Sequence, residues 1–320
     1  MRILIAGATG AVGRRLVPML LAEGHEVVAM TRTPAKAEGL RALGALPVVA
    51  DALDRDAVMG AVAGAEPDVV VHQLTALAGA TDMRHFDRVF ATTNRLRTEG
   101  LRNLLDAARA AGTRRLIAQS FTGWPFARDG GPAKDEDAPL DPAPPKAQRE
   151  SLAAIRELEA VVAGDGPGSA REAGVEGVVL RYGGFYGPGT SVSTNGEITE
   201  LVRKRRLPIV GDGGGIWSFT HIDDAAGGVV ATLSPGRPQG VFAIVDDEPA
   251  RATDWIPALA EAIGARPPRR VPVWLGRLAA GEAAVTMMTA SRGASNARAR
   301  RMLGWAPVWP TWREGFRQAL

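Results

Sequence analysis

The chain contains no cysteine and only two tyrosines among its 320 residues. Disulfide bonds, thiolate catalysis and cysteine-ligated zinc are therefore excluded. The four histidines show no metal-ligand spacing, so we expect no metal site. No apolar run approaches the roughly 20 residues that span a bilayer. Because the first predicted strand begins at residue 2, we expect no cleaved signal peptide and a soluble, cytoplasmic protein without a membrane partner.

The chain also has little excess of either charge, because 38 Lys and Arg residues nearly balance 35 Asp and Glu residues and leave a net charge of +3. The densest basic cluster is residues 203–206 (RKRR), at the end of a predicted helix. Cations at that end complement the helix dipole. We therefore expect a small-molecule substrate and no nucleic-acid partner. The oligomeric state stays open, and a homodimer is compatible with the sequence.

Glycine, in contrast, is plentiful, and three glycines organise the N-terminal stretch: Gly7, Gly10 and Gly13. An apolar run, residues 3–6, predicts a buried parallel strand that ends at the first of them. An amphipathic helix is predicted to begin near Ala11. Glycines in such a turn let backbone N–H groups approach a pyrophosphate, and the helix N-terminus adds partial positive charge. The G-x-x-G-x-x-G spacing in this context therefore predicts a nucleotide site.

Strand and helix patterns alternate through the first half of the chain and predict an α/β fold with a doubly wound parallel Rossmann sheet. Ligands of such sheets bind at the carboxyl ends of the strands. The predicted strands are residues 3–6, 26–31, 46–50, 68–73, 114–119 and 175–181, and the clearest predicted helices are 86–111 and 152–162.

Two segments interrupt the alternation. Residues 122–146 are rich in Pro, Gly and Asp, and a long loop at this place favours an active-site lid. Residues 164–174 predict a flexible surface insertion. After residue 181 the pattern loosens and becomes largely helical from residue 252. We therefore predict a Rossmann domain of residues 1–181 and about 215–245, and a smaller, mostly helical C-terminal substrate domain of about 182–214 and 246–320.

Several motifs follow in order: residues 7–13 (GATGAVG), Asp51-Ala52, Asn94, Leu180-Arg181, residues 186–189 (YGPG), 208–213 (PIVGDG), 219–225 (FTHIDDA) and 295–305 (SNARARRMLGW). Their order and spacing resemble the extended, epimerase/dehydratase-like branch of the short-chain dehydrogenase/reductase superfamily. The resemblance covers nearly the whole chain.

The resemblance implies a dinucleotide site in which the glycines line the pyrophosphate and Asp51 bonds the adenine edge, with Ala52 beside it. A plain helix cap is the alternative role for Asp51. The implied cofactor-binding residues are Gly7, Thr9, Gly10, Ala11, Val12, Gly13, Arg32, Lys36, Asp51, Ala52, Gln73, Leu74, Asn94 and Arg181.

The end of the second strand selects the cofactor. A carboxylate there would bond a ribose 2′-hydroxyl and select NAD. This chain has Thr31-Arg32-Thr33 instead, with Lys36 nearby. A guanidinium matches a 2′-phosphate in bidentate geometry. NADP(H) is therefore favoured over NAD(H), with a solvated loop arginine as the alternative.

The chain departs from the family at its catalytic pair. Members usually carry a Tyr and, four residues later, a Lys on the helix after the lid. With Glu159 as register, these positions fall on Ser151 and Ile155. Ser120 stands at the end of the fifth strand, where the family has a hydroxyl that bonds the substrate carbonyl. The candidates for catalytic groups are Ser120, Tyr186, Glu150 and Ser151.

The missing pair leaves three outcomes open: another acid replaces Tyr, water donates the proton, or the cofactor binds without turnover. Nucleotide-sugar enzymes of this branch also carry an Arg where this chain has Trp217. An apolar cleft is predicted instead, with Thr122, Trp124, Phe126 and Trp217 as pocket residues, joined by Tyr186, Met287 and Met288. For several of them, a plain core position is the alternative.

The leading interpretation is an NADP(H)-dependent oxidoreductase acting on a small, fairly apolar carbonyl or alcohol. An NADP(H)-binding sensor or regulatory protein is one alternative. A non-redox lyase, isomerase or cyclase on the same scaffold is the other.

Overall fold

The structure, a computed structural model, describes residues 1–77, 82–234 and 236–318. Strands are numbered in chain order: β1 (Arg2–Ala6), β2 (Glu26–Thr31), β3 (Leu46–Val49), β4 (Val69–His72), β5 (Arg115–Phe121), β6 (Ala133–Lys134), β7 (Glu176–Tyr182), β8 (Gly184–Tyr186), β9 (Ile209–Val210), β10 (Ile216–Trp217), β11 (Phe219–His221), β12 (Gly240–Ile244), β13 (Ala250–Arg251), β14 (Arg270–Val271) and β15 (Gly293–Ala294).

The α-helices are α1 (Ala11–Ala22), α2 (Ala37–Ala42), α3 (Arg55–Ala65), α4 (Phe86–Arg95), α5 (Leu101–Ala110), α6 (Arg149–Ala163), α7 (Glu197–Arg203), α8 (Ile222–Ala231), α9 (Ala252–Ala262), α10 (Val273–Thr289), α11 (Ala297–Leu303) and α12 (Trp312–Gln318). Short 3₁₀ turns cover Pro34–Lys36, Met83–His85 and Lys146–Gln148. The long helix predicted over 86–111 is divided by a π-helical turn, Leu96–Gly100, between α4 and α5.

A seven-stranded parallel sheet forms the centre of the molecule, in the order β12-β7-β5-β4-β1-β2-β3. Alternate residues of β1 enter opposite cores, because successive side chains of a strand point to opposite faces. Ile3 and Ile5 pack with α1 and α8, whereas Leu4 and Ala6 pack with α3 and α5. Helices therefore cover both faces, and the predicted doubly wound α/β fold is confirmed.

A separate aromatic core lies in the C-terminal lobe. Trp255, Trp312, Phe316 and Phe219 are nearly or completely buried there, with residues of α7, α9 and α10 packed around them. Helix α11 and Trp305 instead join the core that covers one face of the sheet. The boundaries proposed for the two domains stay a prediction. No helix in the described ranges is long and apolar enough to cross a membrane.

The segment predicted to be a lid is anchored to the protein. Its strand β6 pairs with β15, and a bridge joins Phe126 to Leu140. Glu136 is 6% exposed, and its carboxylate accepts a hydrogen bond from the Ala243 N–H of β12 at 2.8 Å. Residues 164–174 are also packed, with Ala170 completely buried. These contacts attach both segments to the protein, while the lid role of residues 122–146 and the flexibility of residues 164–174 stay predictions.

Candidate active site

The glycine turn lies where β1 ends and α1 begins. Gly7 has φ of +100°, and a Cβ there would lie 2.7 Å from the Gln73 carbonyl oxygen. A Cβ on Gly13 would lie 2.3 Å from the Gly7 oxygen, so these two glycines are required by the packing of the turn itself. Gly10 is different, because it is exposed, its φ is −77°, and its closest clash is 3.2 Å from the Gly7 oxygen. Only Gly10 is thus left free to face a ligand.

The N-terminus of α1 has no partner from a side chain. Gly10 is its N-cap, no side chain caps it, and no acidic residue lies in its first turn. The N–H groups of a first turn lack intrahelical acceptors, so they can bind an anion. Ala11 and Val12 lie in this first turn, and the Thr9 carbonyl beside it accepts a hydrogen bond from Arg14 Nε at 3.0 Å.

Exposed charges follow the next two strands of the same sheet edge. Arg32 and Lys36 come after β2, and neither makes an ion pair within the described ranges. Asp51 follows β3, is exposed, and accepts a hydrogen bond from the Leu53 N–H at 3.0 Å. The cap of α3 is Asp54, not Asp51, so the alternative role as a helix cap was wrong. Asp51 keeps its second carboxylate oxygen available.

Ser120, Glu159 and Arg181 form one buried network. Ser120 is 1% exposed, and its hydroxyl donates to Glu159 Oε1 at 2.7 Å. Arg181 donates to both oxygens of Glu159, at 2.8 and 2.7 Å, and to the Glu136 carbonyl. Neither Ser120 nor Arg181 lines the cleft described below. Ser120 and Arg181 are thus both bound to Glu159, and their predicted roles toward the substrate and the cofactor stay predictions.

Helix α6 carries the two positions at which the family pattern fails. Ser151 and Ile155 are 0% and 1% exposed. The Ser151 hydroxyl donates to Asp87 Oδ1 at 2.6 Å and accepts from Asn94 Nδ2 at 3.0 Å. Asp87 also accepts from the backbone N–H groups of Glu150 and Ser151. Ser151 and Asn94 thus bind each other within the protein, while Glu150 is exposed at the start of the helix.

Arg97 is a site residue that sequence reasoning missed. It lies on the π-helical turn packed against α6, is 4% exposed, and its Nη1 has no hydrogen-bond partner. Burial lowers the pKa of Arg97 to about 10, and the Glu159 carboxylate opposes this effect. A charged residue inside an otherwise regular apolar helix pattern was the available signal, since buried arginines are normally paired.

Tyr186 lies in the aromatic core of the C-terminal lobe, completely buried. Its ring packs against His221 and Phe316, with centroid distances of 5.1 and 5.5 Å. Burial raises the pKa of its hydroxyl, and the charges of Asp246 and Asp224 raise it further. The structure does not bring Tyr186 to the cleft. These contacts agree with the alternative of a plain packing role for Tyr186.

A cleft opens between β5, β10 and the end of α10. Trp124 closes one side and packs edge-on against Phe86 at 5.2 Å. Trp217 forms the other side, and its indole N–H donates to the Met287 carbonyl at 3.0 Å. The lining residues are Phe121, Thr122, Gly123, Trp124, Gly184, Ile216, Trp217, Ser218, Met287 and Ser291. The structure brings together Thr122, Trp124 and Trp217 of the predicted pocket.

Phe126 and Met288 do not line this cleft. Phe126 is 1% exposed in a small core with Val245, and the Arg181 guanidinium lies 5.6 Å from its ring. Met288 packs into the aromatic core. Their pocket role stays a prediction, and the structure shows the alternative, a core position, for both.

The remaining predicted cofactor residues follow strands β3 and β4. Ala52 is buried, and its carbonyl accepts from Asn103 Nδ2 at 2.9 Å. Gln73 donates to the Tyr182 hydroxyl at 3.4 Å, and Leu74 is half-buried next to it. Among the residues that the structure describes, several buried polar atoms have no hydrogen-bond partner, namely Gln73 Oε1, Asn94 Oδ1, Arg97 Nη1, Thr122 Oγ1 and Gln148 Nε2. Such orphaned groups indicate a place where a polar ligand or water binds.

Comparison with known proteins identifies the family. The sequence pattern of the NAD dependent epimerase/dehydratase family matches residues 3–244. The chain belongs to this family. It is 45% identical, over 99% of both chains, to a Streptomyces protein named 3-diazoavenalumate denitrifying reductase. It is 28% identical to a Stigmatella aurantiaca ketoreductase of a farnesyl dihydroquinoline oxide, over 82% of this chain and 74% of the relative.

Among solved structures, UDP-glucose 4-epimerase from Thermotoga maritima with UDP-glucose superposes with a TM-score of 0.76 at 21% identity, covering 100% of this chain and 97% of the epimerase. This likeness supports the fold. An NAD(P) cofactor is typical of the family, and the kinship with the Streptomyces protein is consistent with a reductase of this family. The open turn at Gly10, the uncapped α1 and the unpaired Arg32 fit a dinucleotide.

In the described ranges, no group of three or more His, Asp and Glu side chains is arranged to hold a metal ion.

Proposed function

We propose that this protein is an NADPH-dependent reductase that replaces the diazo nitrogen of an aromatic substrate with hydrogen. The observation that carries the proposal is α6, where Ser151 and Ile155 stand at the Tyr and Lys positions and are fully buried. The Ser151 hydroxyl is already bound to Asp87. A reaction that needs no proton donor at the substrate suits such a site, and the 45% identical relative is named for a reaction of that kind.

The two candidate reactions differ in their proton requirement. Reduction of a carbonyl leaves an alkoxide, which must be protonated by a positioned acid. In the reduction of an aryl diazonium ion, hydride forms a C–H bond, the C–N bond breaks, and its electron pair leaves with N₂. The products are the arene, N₂ and the oxidised cofactor, so charge and atoms balance without a proton donor. A bound nicotinamide supplies the hydride.

The choice of NADPH rests on the end of β2. Arg32 and Lys36 are exposed there and have no carboxylate partner within the described ranges. Both can therefore turn toward a 2′-phosphate without breaking an existing ion pair. A guanidinium binds such a phosphate through two parallel N–H groups, which a ribose hydroxyl does not match.

The walls of the cleft, which is narrow in this structure at about 20 Å³, favour a flat aromatic group in the substrate. Trp124, Trp217 and Met287 supply its apolar walls, and no carboxylate lines it. Arg292 follows the lining residue Ser291, has no ion pair within the described ranges, and keeps a buried Nε without a partner. Its Nη1 donates only to backbone carbonyls, at 3.1 Å in the case of Ala290. A guanidinium without a carboxylate partner, one residue from the cleft lining, favours an acidic group in the substrate.

The experiment supplies NADPH and an aromatic diazo acid, such as 3-diazo-4-hydroxybenzoate, to the purified protein. Release of N₂, oxidation of NADPH and transfer of deuterium from C4-labelled NADPH into the arene C–H are expected. Reactions without protein, and with the Gly10→Val variant, measure the uncatalysed rate. Consumption of NADPH with ketones but none with the diazo acid would overturn the proposal.

Variants of the remaining acids and hydroxyls separate the two reactions. Under the diazo proposal, Ser120→Ala, Ser151→Ala and Glu150→Gln should each retain kcat within about tenfold, because none transfers a proton to the substrate. General acid catalysis contributes about 10²–10⁴-fold, so carbonyl reduction requires a far larger loss in one of them. The solvent-exposed Glu150 is then the residue to examine first.

Carbonyl reduction is the second candidate, favoured by the relative named as a ketoreductase at 28% identity. The site would then need Glu150 or a water molecule as proton donor, since the Ser120 hydroxyl is bound to Glu159 and Tyr186 is buried outside the lining of the cleft. Reduction of small apolar ketones at a rate above that of the diazo acid would make it the preferred function.

A further inference from the structure

Arg97 carries a positive charge that no described group neutralises. It is 4% exposed, its buried Nη1 has no hydrogen-bond partner, and its guanidinium forms no ion pair within the described ranges. Burying an unpaired charge costs free energy, so arginines in protein interiors are normally bound to carboxylates or carbonyls. An interior arginine without a partner is therefore a group kept for a ligand.

The groups around Arg97 leave this charge uncompensated. Glu159 is the carboxylate that interacts with it electrostatically, but Arg181 already binds both oxygens of Glu159. Burial lowers the pKa of His72, so that imidazole is neutral at pH 7. Asp87 is occupied by the first N–H groups of α6. Arg97 and Arg181 therefore share the Glu159 carboxylate, and within the described ranges no carboxylate is bound to the Arg97 guanidinium itself.

The topology relates Arg97 to one half of a bound dinucleotide. The glycine turn after β1 and Arg32 after β2 belong to the side of the sheet that takes the adenosine half. The nicotinamide half then extends over the carboxyl ends of β4 and β5. Arg97 interacts electrostatically with His72, the last residue of β4, and its π-helical turn packs against α6. The unpaired charge thus belongs to the nicotinamide side.

We propose that Arg97 makes the protein bind reduced nicotinamide more tightly than oxidised nicotinamide. The inference rests on the proposed function for the presence of NADP(H). The oxidised nicotinamide ring is cationic and the reduced ring is uncharged. A guanidinium in a site of low dielectric repels the former and leaves the latter unaffected. Arg97 is an electrostatic residue here and transfers no proton.

The test compares dissociation constants for NADPH and NADP⁺, measured by calorimetric and fluorescence titration without any substrate. In the parent protein NADPH should bind more tightly. Arg97→Met should reduce the ratio of the two constants about tenfold, because a repulsion of that size corresponds to 1.4 kcal/mol. Arg97→Lys should keep the ratio. Arg102→Met is the matched control, since Arg102 lies on α5, is exposed and pairs with Glu157.

A double variant restores a positive charge near the position of Arg97 by placing a lysine on α6. Adding Ile155→Lys to Arg97→Met should restore the parent ratio to within about threefold, as α6 packs against the turn that carries Arg97. If Arg97→Met does not fold, the ratio of dissociation constants in Arg97→Gln and in the double variant is compared with that of the parent protein. An unchanged ratio in a folded Arg97→Met or Arg97→Gln variant, or a parent protein that binds NADP⁺ as tightly as NADPH, would overturn the inference.

These titrations contain no diazo compound, so the two proposals fail separately. A parent protein that binds both cofactors but reduces no diazo acid loses the proposed reaction and keeps the inference. If the protein reduces the diazo acid but Arg97→Met leaves the ratio of the two dissociation constants unchanged, the proposed reaction stands and the inference about Arg97 is overturned. Absence of any dinucleotide binding overturns both.

Discussion

The two halves of the sheet's carboxyl edge differ in what their residues are bound to. On the side of β1, β2 and β3, Gly10, Arg32 and Asp51 are exposed and make few contacts with the rest of the protein. On the side of β4 and β5, Ser120 and Ser151 are buried and bound to carboxylates. The groups of the first half are therefore available to a ligand such as the proposed cofactor. The hydroxyls of the second half are held in internal hydrogen bonds, which is why we propose a chemistry without proton transfer to the substrate.

The largest effect is expected from breaking the buried network on the β5 side. Arg181→Met leaves Glu159 with a buried charge and removes two of its hydrogen bonds. We expect a loss of about 3–5 kcal/mol in the free energy of unfolding, measured by urea denaturation. Arg102→Met, which breaks the exposed pair with Glu157, should cost under about 1 kcal/mol. Equal losses in the two variants would contradict a structural role for the network.

A substitution in the glycine turn should remove dinucleotide binding on the β1 side of the sheet edge without unfolding the protein. Gly10→Val should abolish dinucleotide binding, by about 100-fold or more, which is 2.7 kcal/mol. The melting temperature should change little, because the residue is exposed and has an ordinary φ. Gly13→Ala is the contrasting variant, and its Cβ, 2.3 Å from the Gly7 oxygen, should destabilise the fold. Calorimetric titration and melting curves of both variants provide the measurement, and unchanged affinity in Gly10→Val would mean that the turn holds no phosphate.

The choice between NADPH and NADH tests the role of Arg32 on the β1–β3 side of the sheet edge. Arg32→Asp should weaken NADPH binding about tenfold or more and leave NADH nearly unchanged, because a carboxylate repels the 2′-phosphate. Arg41→Asp, a charge reversal on α2 with exposed surroundings, should alter neither affinity. Fluorescence titration of the four combinations measures the difference. A parent protein with equal affinities for NADH and NADPH would refute the assignment.

The smallest effect on stability is expected at Asp246, a buried carboxyl that forms no ion pair with an arginine within the described ranges. Burial raises the pKa of Asp246 well above its usual range, and one of its oxygens has no partner. From about pH 4 upward, the unfolded carboxyl ionises before the folded one, so the folded state loses stability as pH rises. Asp246→Asn removes this loss. Its melting temperature should match the parent near pH 4 and exceed it by roughly 2 °C at pH 7. A gap that shrinks with rising pH would show that Asp246 is ionised in the folded protein.

Much of the fold could be predicted, because periodicity and burial are linked in strands. The second strand has the predicted ends, 26–31, and β1, β4 and β5 differ from prediction by only a few residues. The π-helical turn at Leu96–Gly100 was not predicted, since an amphipathic pattern continues on both sides of it. Anchored segments were missed for a similar reason. Their stability depends on contacts such as that of Glu136 with β12, which joins residues far apart in sequence.

The candidate site divides in the same way. The glycine turn, the cationic end of β2 and the absence of the Tyr and Lys pair are local properties, and the sequence by itself determined them. Which polar groups remain available was decided only by the tertiary structure. Ser120 and Arg181 lie in different strands, and both turned to Glu159 because a buried carboxylate must be paired. Arg97 was left without such a partner, since Glu159 lies on another helix and was already bound.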